Sequence, residues 1–270
     1  MKLLEGKNVI VTGVMTKDSI AYHAAQAIIE HGGTVALTSF GRAAKLTDRA
    51  SRSLDGNQQI LEFDATHPEA AANLTKEIRA IGWDEVHGAV HSIGFTPQST
   101  LGPDTFMSAT WHGEKTSDDI DNTDGGIAAG IQTSAVSLQV LANAVSPLMK
   151  EGASIVGYDF DATVAWPVYS WMNVAKAALE AVNRNLALEL GTKGIRSNLI
   201  SAGPLRTTAA TKIEGFSELA DGWSDKAPLG WDLKGQASVG KTTVALLSDL
   251  IDATSGEIIH VDGGYHAVGA

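Results

Sequence analysis

A chain of 270 residues, 44% hydrophobic and 19% charged, carries enough apolar mass to bury a sizeable core. It has no cysteine, which excludes disulfides, thiolate metal sites and cysteine nucleophiles and fits a reducing cytoplasm. The formal charge of −11, without a dense basic patch, argues against a nucleic-acid partner, and no run of about 18 apolar residues marks a membrane span.

The opening "MKLLEGKNVIVTG" lacks the apolar core and small-residue cleavage site of a signal peptide and reads as a first strand at 8–12. A helix through "SIAYHAAQAIIEHG" follows. "TVALTS" is a second strand, trailed by a helix over 42–54. "QILEFD" is a third strand, with a helix over 68–81. "VHGAVHSIG" is a fourth strand, followed by one long helix over 126–149. "ASIVGYDF" is a fifth strand, and the helix carrying "YSWMNVAK" runs to about Leu190. "IRSNLISAG" and "GEIIHVDGG" supply strands six and seven. Such alternation predicts an α/β, single-domain, Rossmann-like, doubly wound parallel sheet of about seven strands with helices on both faces, over residues 1–270. Two stretches break the rhythm. Residues 112–125 form an acidic insert with five carboxylates and one lysine, and 207–231 form an amphipathic segment beyond the carboxyl end of strand six.

In such a sheet, ligands bind beyond the carboxyl ends of the strands. Gly13 after the first strand suits a tight turn toward a pyrophosphate, and Ser19 suits a helix cap with a hydroxyl to offer. The later glycines of the usual dinucleotide fingerprint are missing. Asp64 ends the third strand as an acceptor for an adenine amino group or as a simple loop cap. Ser92, Ile93 and Gly94 exit the fourth strand, where glycine lets backbone lie against a ribose or phosphate. Gly203, Leu205 and Thr207 exit the sixth, with the threonine hydroxyl near a helix start.

Tyr169 and Lys176 stand seven positions apart, two turns of an α-helix, so they are expected on one face, with Pro167 at the helix start. There the ammonium would lower the phenol's pKa and bond a nicotinamide ribose, and the tyrosine would donate to a carbonyl oxygen gaining charge during hydride transfer. The bland alternative is a half-buried tyrosine beside a snorkelling lysine.

Together the stretches "TGVMTKDSIA", "HSIGFTPQ", "GASIVGYDF", "YSWMNVAKAALE", "RSNLISAGPLRT", "APLGW" and "SGEIIHVDGG" resemble the short-chain dehydrogenase/reductase superfamily. Within it the chain is similar to the NADH-dependent enoyl-acyl-carrier-protein reductases of bacterial fatty-acid synthesis, in their mycobacterial branch. Ordinary members of the superfamily use Tyr-x3-Lys with an upstream serine, whereas Tyr169 and Lys176 bracket six residues.

The resemblance implies reduction of a trans-2-enoyl thioester carried by acyl carrier protein, in a cytoplasmic homotetramer. It implies that Gly13, Ser19 and Ile20 line the pyrophosphate, that Asp64 and Ala65 hold adenine, and that Ile93 and Gly94 lie beside its ribose. Lys176 is then the nicotinamide-ribose contact, Leu205 the carboxamide contact through its backbone, and Thr207 a phosphate contact. Tyr169 is implied to bond the thioester carbonyl, and Phe160 to stand beside the nicotinamide where many relatives have a second tyrosine. NADH is favoured over NADPH. Strand two ends in neither the acidic residue that would favour NADH nor the clustered basic pair that would favour NADPH; Phe40 can stack on adenine as in NADH-using relatives, and Arg42 is a lone base within reach of a 2′-phosphate.

Met172, Ile213 and Phe216 are candidate contacts for the acyl tail, and Arg206, Lys212 and Lys226 for the acidic carrier. The 207–231 segment is shorter than in the long-chain mycobacterial branch, which implies shorter acyl chains. The acidic insert belongs to none of the matching motifs. Tyr158 reads either as a nicotinamide contact or as packing. Two rival readings are a carbonyl (3-oxoacyl) reductase, which would want Tyr-x3-Lys, and a non-catalytic dinucleotide-binding module, which would keep the glycines and lose the tyrosine–lysine pair.

Overall fold

The structure is a computed structural model that describes residues 2–114 and 123–269. Seven strands form one all-parallel sheet in the order β3-β2-β1-β4-β5-β6-β7. They are β1 (Asn8–Val11), β2 (Thr34–Ser39), β3 (Gln59–Glu62), β4 (Gly88–His91), β5 (Ser154–Asp159), β6 (Arg196–Ala202) and β7 (Ile258–Val261). The order reverses between β1 and β4, which are paired from Val9 opposite Gly88 to Val11 opposite Val90. All six residues of β5 and all seven of β6 are buried, the signature of strands covered on both faces.

One layer holds α3 (Ala70–Ala80), α5 (Ser137–Val145) and α6 (Trp171–Gly191), whose Leu74, Leu138 and Leu179 meet Ile10, Ile155 and Leu199 of the sheet. The opposite layer holds α1 (Ile20–Glu30), α2 (Ala44–Ser51) and α8 (Gln236–Leu247), with Ile28, Ala50 and Val239 packed on Val9, Leu37 and Val156. Fully burying each such aliphatic side chain contributes about 1.5–3 kcal/mol. Two further helices are α4 (Gly126–Ile131) and α7 (Phe216–Lys226), the latter within the 207–231 segment.

The predicted helix over 126–149 is not one α-helix. Residues Gln132–Val136 form a widened π-turn between α4 and α5, and Ser146–Leu148 form a 3-10 turn. The predicted helix start at Pro167 is also displaced, because α6 begins only at Trp171. The predicted acidic insert lies largely outside the described residues, at 115–122. Its two ends are joined: the Asp124 amide donates to the Glu114 carbonyl at 3.0 Å, and Asp124 Oδ1 accepts from the amides of Glu114 and Gly126 at 3.1 and 3.0 Å.

Arg196 opens β6 and is only 6% exposed. Its guanidinium donates to the carbonyls of Leu246 and Ser248, at 2.7 and 2.9 Å, where α8 ends. Methionine would fill similar space and leave both carbonyls buried without a donor. Arg196→Met should therefore cost about 2–3 kcal/mol. Urea unfolding measures this, and a loss below about 0.5 kcal/mol, the scale of an ordinary surface substitution, would show that the two bonds do not anchor α8.

Candidate active site

Because every strand runs the same way, every strand exit meets at one edge of the sheet. At the reversal of strand order, Gly13 has φ +81°, and a Cβ there would lie 2.0 Å from the Ser92 carbonyl oxygen. Only glycine permits this contact between the turn after β1 and the exit of β4. Thr12 stitches the same junction: its hydroxyl donates to the Val90 carbonyl at 3.1 Å and accepts from the Ser92 amide at 2.9 Å. Ser19 caps α1 as predicted, accepting from the Tyr22 amide at 3.3 Å, and its own proton goes to the Thr16 carbonyl at 2.7 Å. Ile20 is the first residue of α1 and is half-buried.

The π-turn explains the shape of the β4 exit. It carries Ser134, whose hydroxyl accepts from the Phe95 amide at 2.9 Å and donates to the Phe95 carbonyl at 2.7 Å. That double bond holds the loop of Ser92, Ile93 and Gly94, with Gly94 exposed. π-turns inside helices recur at functional sites, and no residue pattern in 126–149 announced this one.

At the far side, Asp64 Oδ1 accepts from the Thr66 amide and hydroxyl, at 3.0 and 2.7 Å, so the loop-capping alternative holds for that oxygen. Ala65 packs its methyl into the core, and Phe40 presents an exposed ring beyond β2. Beyond β6, Gly203 leaves no room for a side chain: a Cβ would sit 2.8 Å from Trp231 and 2.9 Å from Trp223. Leu205 is buried, and Thr207 Oγ1 accepts from the Ala210 amide at 3.1 Å. A cleft of about 460 Å³ opens beside Thr207, lined also by Asp18, His23, Arg206 and Lys234. Its cationic lining suits the phosphate end of a dinucleotide, and it lies apart from Tyr169.

Tyr169 is not on α6. It sits in the turn before the helix, its amide bonded to the Trp166 carbonyl at 3.0 Å, and Ser170 after it takes φ +43°. This strained residue, costing on the order of 1–3 kcal/mol, lays the Tyr169 ring on Phe160 with centroids 4.6 Å apart and planes within 4°. Phe160 packs in turn on Trp166 and on Trp223 of α7. Lys176, on α6, donates to the Tyr158 carbonyl at 2.8 Å. Each of the two is thus tied to β5 and its exit, Lys176 through the Tyr158 carbonyl and Tyr169 through the Phe160 ring, rather than placed with the other by helical periodicity. The expected lowering of the phenol's pKa is reversed: burial raises it, and the negative charge of Asp159 raises it further. Burial lowers the Lys176 pKa, against the pull of Asp159. Tyr158 packs away from this face, its hydroxyl 2.8 Å from Thr243 of α8, which settles it as structural.

Two residues that the sequence reading passed over stand beside the pair. Asp159 closes β5, is 6% exposed, and among the described residues neither carboxylate oxygen has a well-aligned hydrogen-bond partner, although the Phe160 amide is near enough to favour the charged form. Burial first, relieved by Lys176 and reinforced by Glu180, pushes its pKa up to about 7. His91 ends β4 and is fully buried. An acid or a histidine at a strand end carries no signal until its surroundings are known.

Of the tail candidates, Met172 and Ile213 are half-buried, while Phe216 is buried. The 213–216 stretch presses on the residue before Tyr169: a Cβ on Gly215 would lie 2.6 Å from Val168.

A sequence profile described as enoyl-(acyl carrier protein) reductase matches residues 13–266. The chain is 43% identical to the NADH enoyl-[acyl-carrier-protein] reductase of Mycolicibacterium smegmatis, over 97% of each chain. It is 39% identical to the protein of that name from Mycobacterium avium, again over 97% of each. An Escherichia coli relative, also named as an NADH enoyl-[acyl-carrier-protein] reductase, is 33% identical over 98% of this chain and 96% of its own.

His91 Nε2 lies 2.7 Å from Ser137 Oγ, whose own proton goes to the Thr133 carbonyl at 2.6 Å, so the imidazole donates there and Nδ1 is left unpartnered. Burial, with the nearby Lys176 charge, holds its pKa down at about 3. A histidine whose folded pKa lies below its unfolded value of about 6.5 contributes stability that is complete above that value and is lost as pH falls toward the folded pKa. Between pH 7 and 5 the loss from this group should be about 2 kcal/mol. Urea unfolding at pH 7 and pH 5 should show it in the native chain and not in His91→Asn; equal slopes in both would refute it.

Proposed function

The chain belongs to the enoyl-(acyl carrier protein) reductase family, and from that membership we infer that it uses NADH to reduce the trans-2 double bond of enoyl thioesters on acyl carrier protein, in fatty-acid elongation. The carboxyl edge fits the dinucleotide: Gly13 keeps side chains out of the turn, Phe40 offers an exposed ring, and Arg206 and Lys234 line the phosphate cleft. Gly13, Ser19, Ile20 and Thr207 would hold the pyrophosphate, Phe40, Asp64 and Ala65 the adenine, Ser92, Ile93 and Gly94 its ribose, and Gly203 and Leu205 the carboxamide. When bound, NADH supplies the hydride that adds to C3 of the enoyl group.

Tyr169 donates a hydrogen bond to the thioester oxygen, where negative charge collects as C3 is reduced. Its raised pKa keeps the proton on the phenol, so it serves as a donor and not as a phenolate. Lys176 uses one of its three donors on Tyr158 and has two for the hydroxyls of the nicotinamide ribose. Phe160 is an apolar wall that fixes the phenol's plane and keeps water from it. The observation that carries this reading is the Tyr169 ring clamped on Phe160 beside the Lys176 anchor.

The 207–231 segment covers the acyl chain, with Met172 and Ile213 as contacts; Phe216, being buried, supports the segment from beneath. Exposed Lys226 is a contact for the carrier protein; Arg206, expected there too, lines the phosphate cleft instead, and the Lys212 side chain lies outside the described residues. The enzyme works as a cytoplasmic homotetramer. Edge strand β7, only half-buried over Ile258–Val261, supports a neighbour at that edge, and among the described residues no helix is long and apolar enough to cross a membrane.

Tyr169→Phe should lower turnover of an enoyl thioester by about 100-fold, the scale for removing one oxyanion donor, while NADH affinity changes less than about twofold. Unchanged turnover in that variant would remove the tyrosine's role. Across acyl lengths, kcat/KM should favour short and medium enoyl chains; a clear rise toward very long chains would reject the covering segment as the length gauge.

A further inference from the structure

Ser170, the residue after Tyr169, stands at φ +43° and ψ −120°, the backbone of the first central position of a type II′ turn, where glycine is usual. Among the described residues the non-glycines at positive φ are Ser170 and Asp104. A serine keeps such a backbone only where its surroundings over-determine it. Much of that support comes from one stretch, Gly102–Phe106, in the loop between β4 and α4. The Gly102 amide donates to the Val168 carbonyl at 3.1 Å. The Thr105 hydroxyl lies 2.8 Å from the Ser170 hydroxyl. The Trp171 indole N–H donates to the Phe106 carbonyl at 2.9 Å, and the two rings stack with centroids 5.0 Å apart and planes within 15°. Residues 168, 170 and 171 are thus held by 102, 106 and 105 on both sides of Tyr169. Thr105 Oγ1 is also 2.9 Å from the Gly102 carbonyl oxygen, which can only accept. The threonine's proton therefore goes to Gly102, and the Ser170 hydroxyl donates to the threonine.

We propose that Thr105 is a positioning residue for the reduction: through the Ser170 hydroxyl it fixes the strained backbone that presents the Tyr169 phenol to the thioester oxygen. This rests on the reading of Tyr169 as the donor in a reductase's site. Thr105 is half-buried in a stretch whose neighbours Asp104 and Phe106 are exposed, so its hydroxyl serves this turn and its own loop rather than the core. Without that bond, Ser170 is drawn toward the negative φ that suits a residue with a Cβ. The peptide joining it to Tyr169 then turns, and the phenol tilts from its place on the Phe160 ring. A donor misplaced by an ångström loses much of its effect on the transition state while the dinucleotide still binds.

The test measures kcat and KM on a short trans-2-enoyl coenzyme A thioester, with NADH affinity from nucleotide fluorescence. Thr105→Val keeps the shape and removes the hydroxyl. It should lower kcat about fivefold, the scale of one neutral hydrogen bond, and leave NADH affinity within about twofold. Thr105→Ser, which keeps the hydroxyl, should recover most of that loss. In a Tyr169→Phe background the same valine should cost less than about twofold, because no phenol hydroxyl is left to aim. A Thr105→Val kcat within about twofold of native, or a serine variant as slow as the valine one, overturns the proposal. So does an equal loss in both backgrounds, which marks a role in general packing. If Thr105→Val does not fold, Ser170→Ala removes the other partner of the bond and keeps the Cβ that strains the turn; an equal loss with and without the Tyr169 hydroxyl, or no loss, overturns the proposal in the same way. All of these results leave the reductase reading intact provided that Tyr169→Phe is itself slow. Native turnover in Tyr169→Phe overturns the reading of the tyrosine, and the proposal with it.

Discussion

No group larger than a hydrogen fits between residue 13 and the Ser92 carbonyl. That closeness is a consequence of the all-parallel order: β1 and β4 are neighbours, yet their chains leave in opposite directions, so the turn after one must pass the exit of the other. Glycine at positive φ lets them touch, Thr12 bonds both, and Ser134 clamps the β4 loop from the helical layer. With the junction closed from beneath, the crevice above it has a fixed floor, and residues from five different strand exits can converge on a single extended ligand.

Around that floor the fold uses burial as its main electrostatic instrument. Tyr169, Lys176, His91 and Asp159 all have pKa values displaced chiefly by removal from water, each toward its neutral form. Charged neighbours then correct the result, most visibly Asp159 acting on Lys176. The aromatic cluster of Phe160, Trp166 and Trp223 maintains this dry environment and ties α7 to it, with Trp223 also stacked on Tyr265 at 3.8 Å. Trp223 and Trp231 each spend their indole N–H on a backbone carbonyl, of Asp262 and Pro204, so the cluster is oriented by hydrogen bonds as well as packed. α7 and the turn that carries Tyr169 are thus parts of one apolar unit.

The seven strands were legible because parallel strands buried on both faces appear as β-branched runs between turn residues, and the sheet then brought the exits of β1, β4 and β6 to one edge, as their positions in the chain implied. The start of α6 was not legible. Pro167 and the seven-residue spacing both argued for Tyr169 on the helix, but the stack on Phe160 and the backbone of Ser170, which are tertiary effects, held it outside. The π-turn was hidden for a similar reason: Gln132–Val136 has no proline or breaker, and what widens the helix there is the pull of Ser134 on another chain segment. The sign of the Tyr169 shift was missed because a lysine was visible in the sequence and a desolvated site was not.

The joined ends of the acidic insert have a consequence for how this chain can vary. Before α4 begins, the Asp124 amide donates to the Glu114 carbonyl and the Glu114 amide donates to the Asp124 carboxylate, so the sheet and its helices meet the insert at a closed neck. Closing a longer loop costs only about 0.6 kcal/mol per doubling of its length. The neck is therefore a tolerant splice point: a reporter peptide added between its two sides would raise the closure cost only slightly and leave the bonds at Glu114 and Asp124 to hold α4 in place.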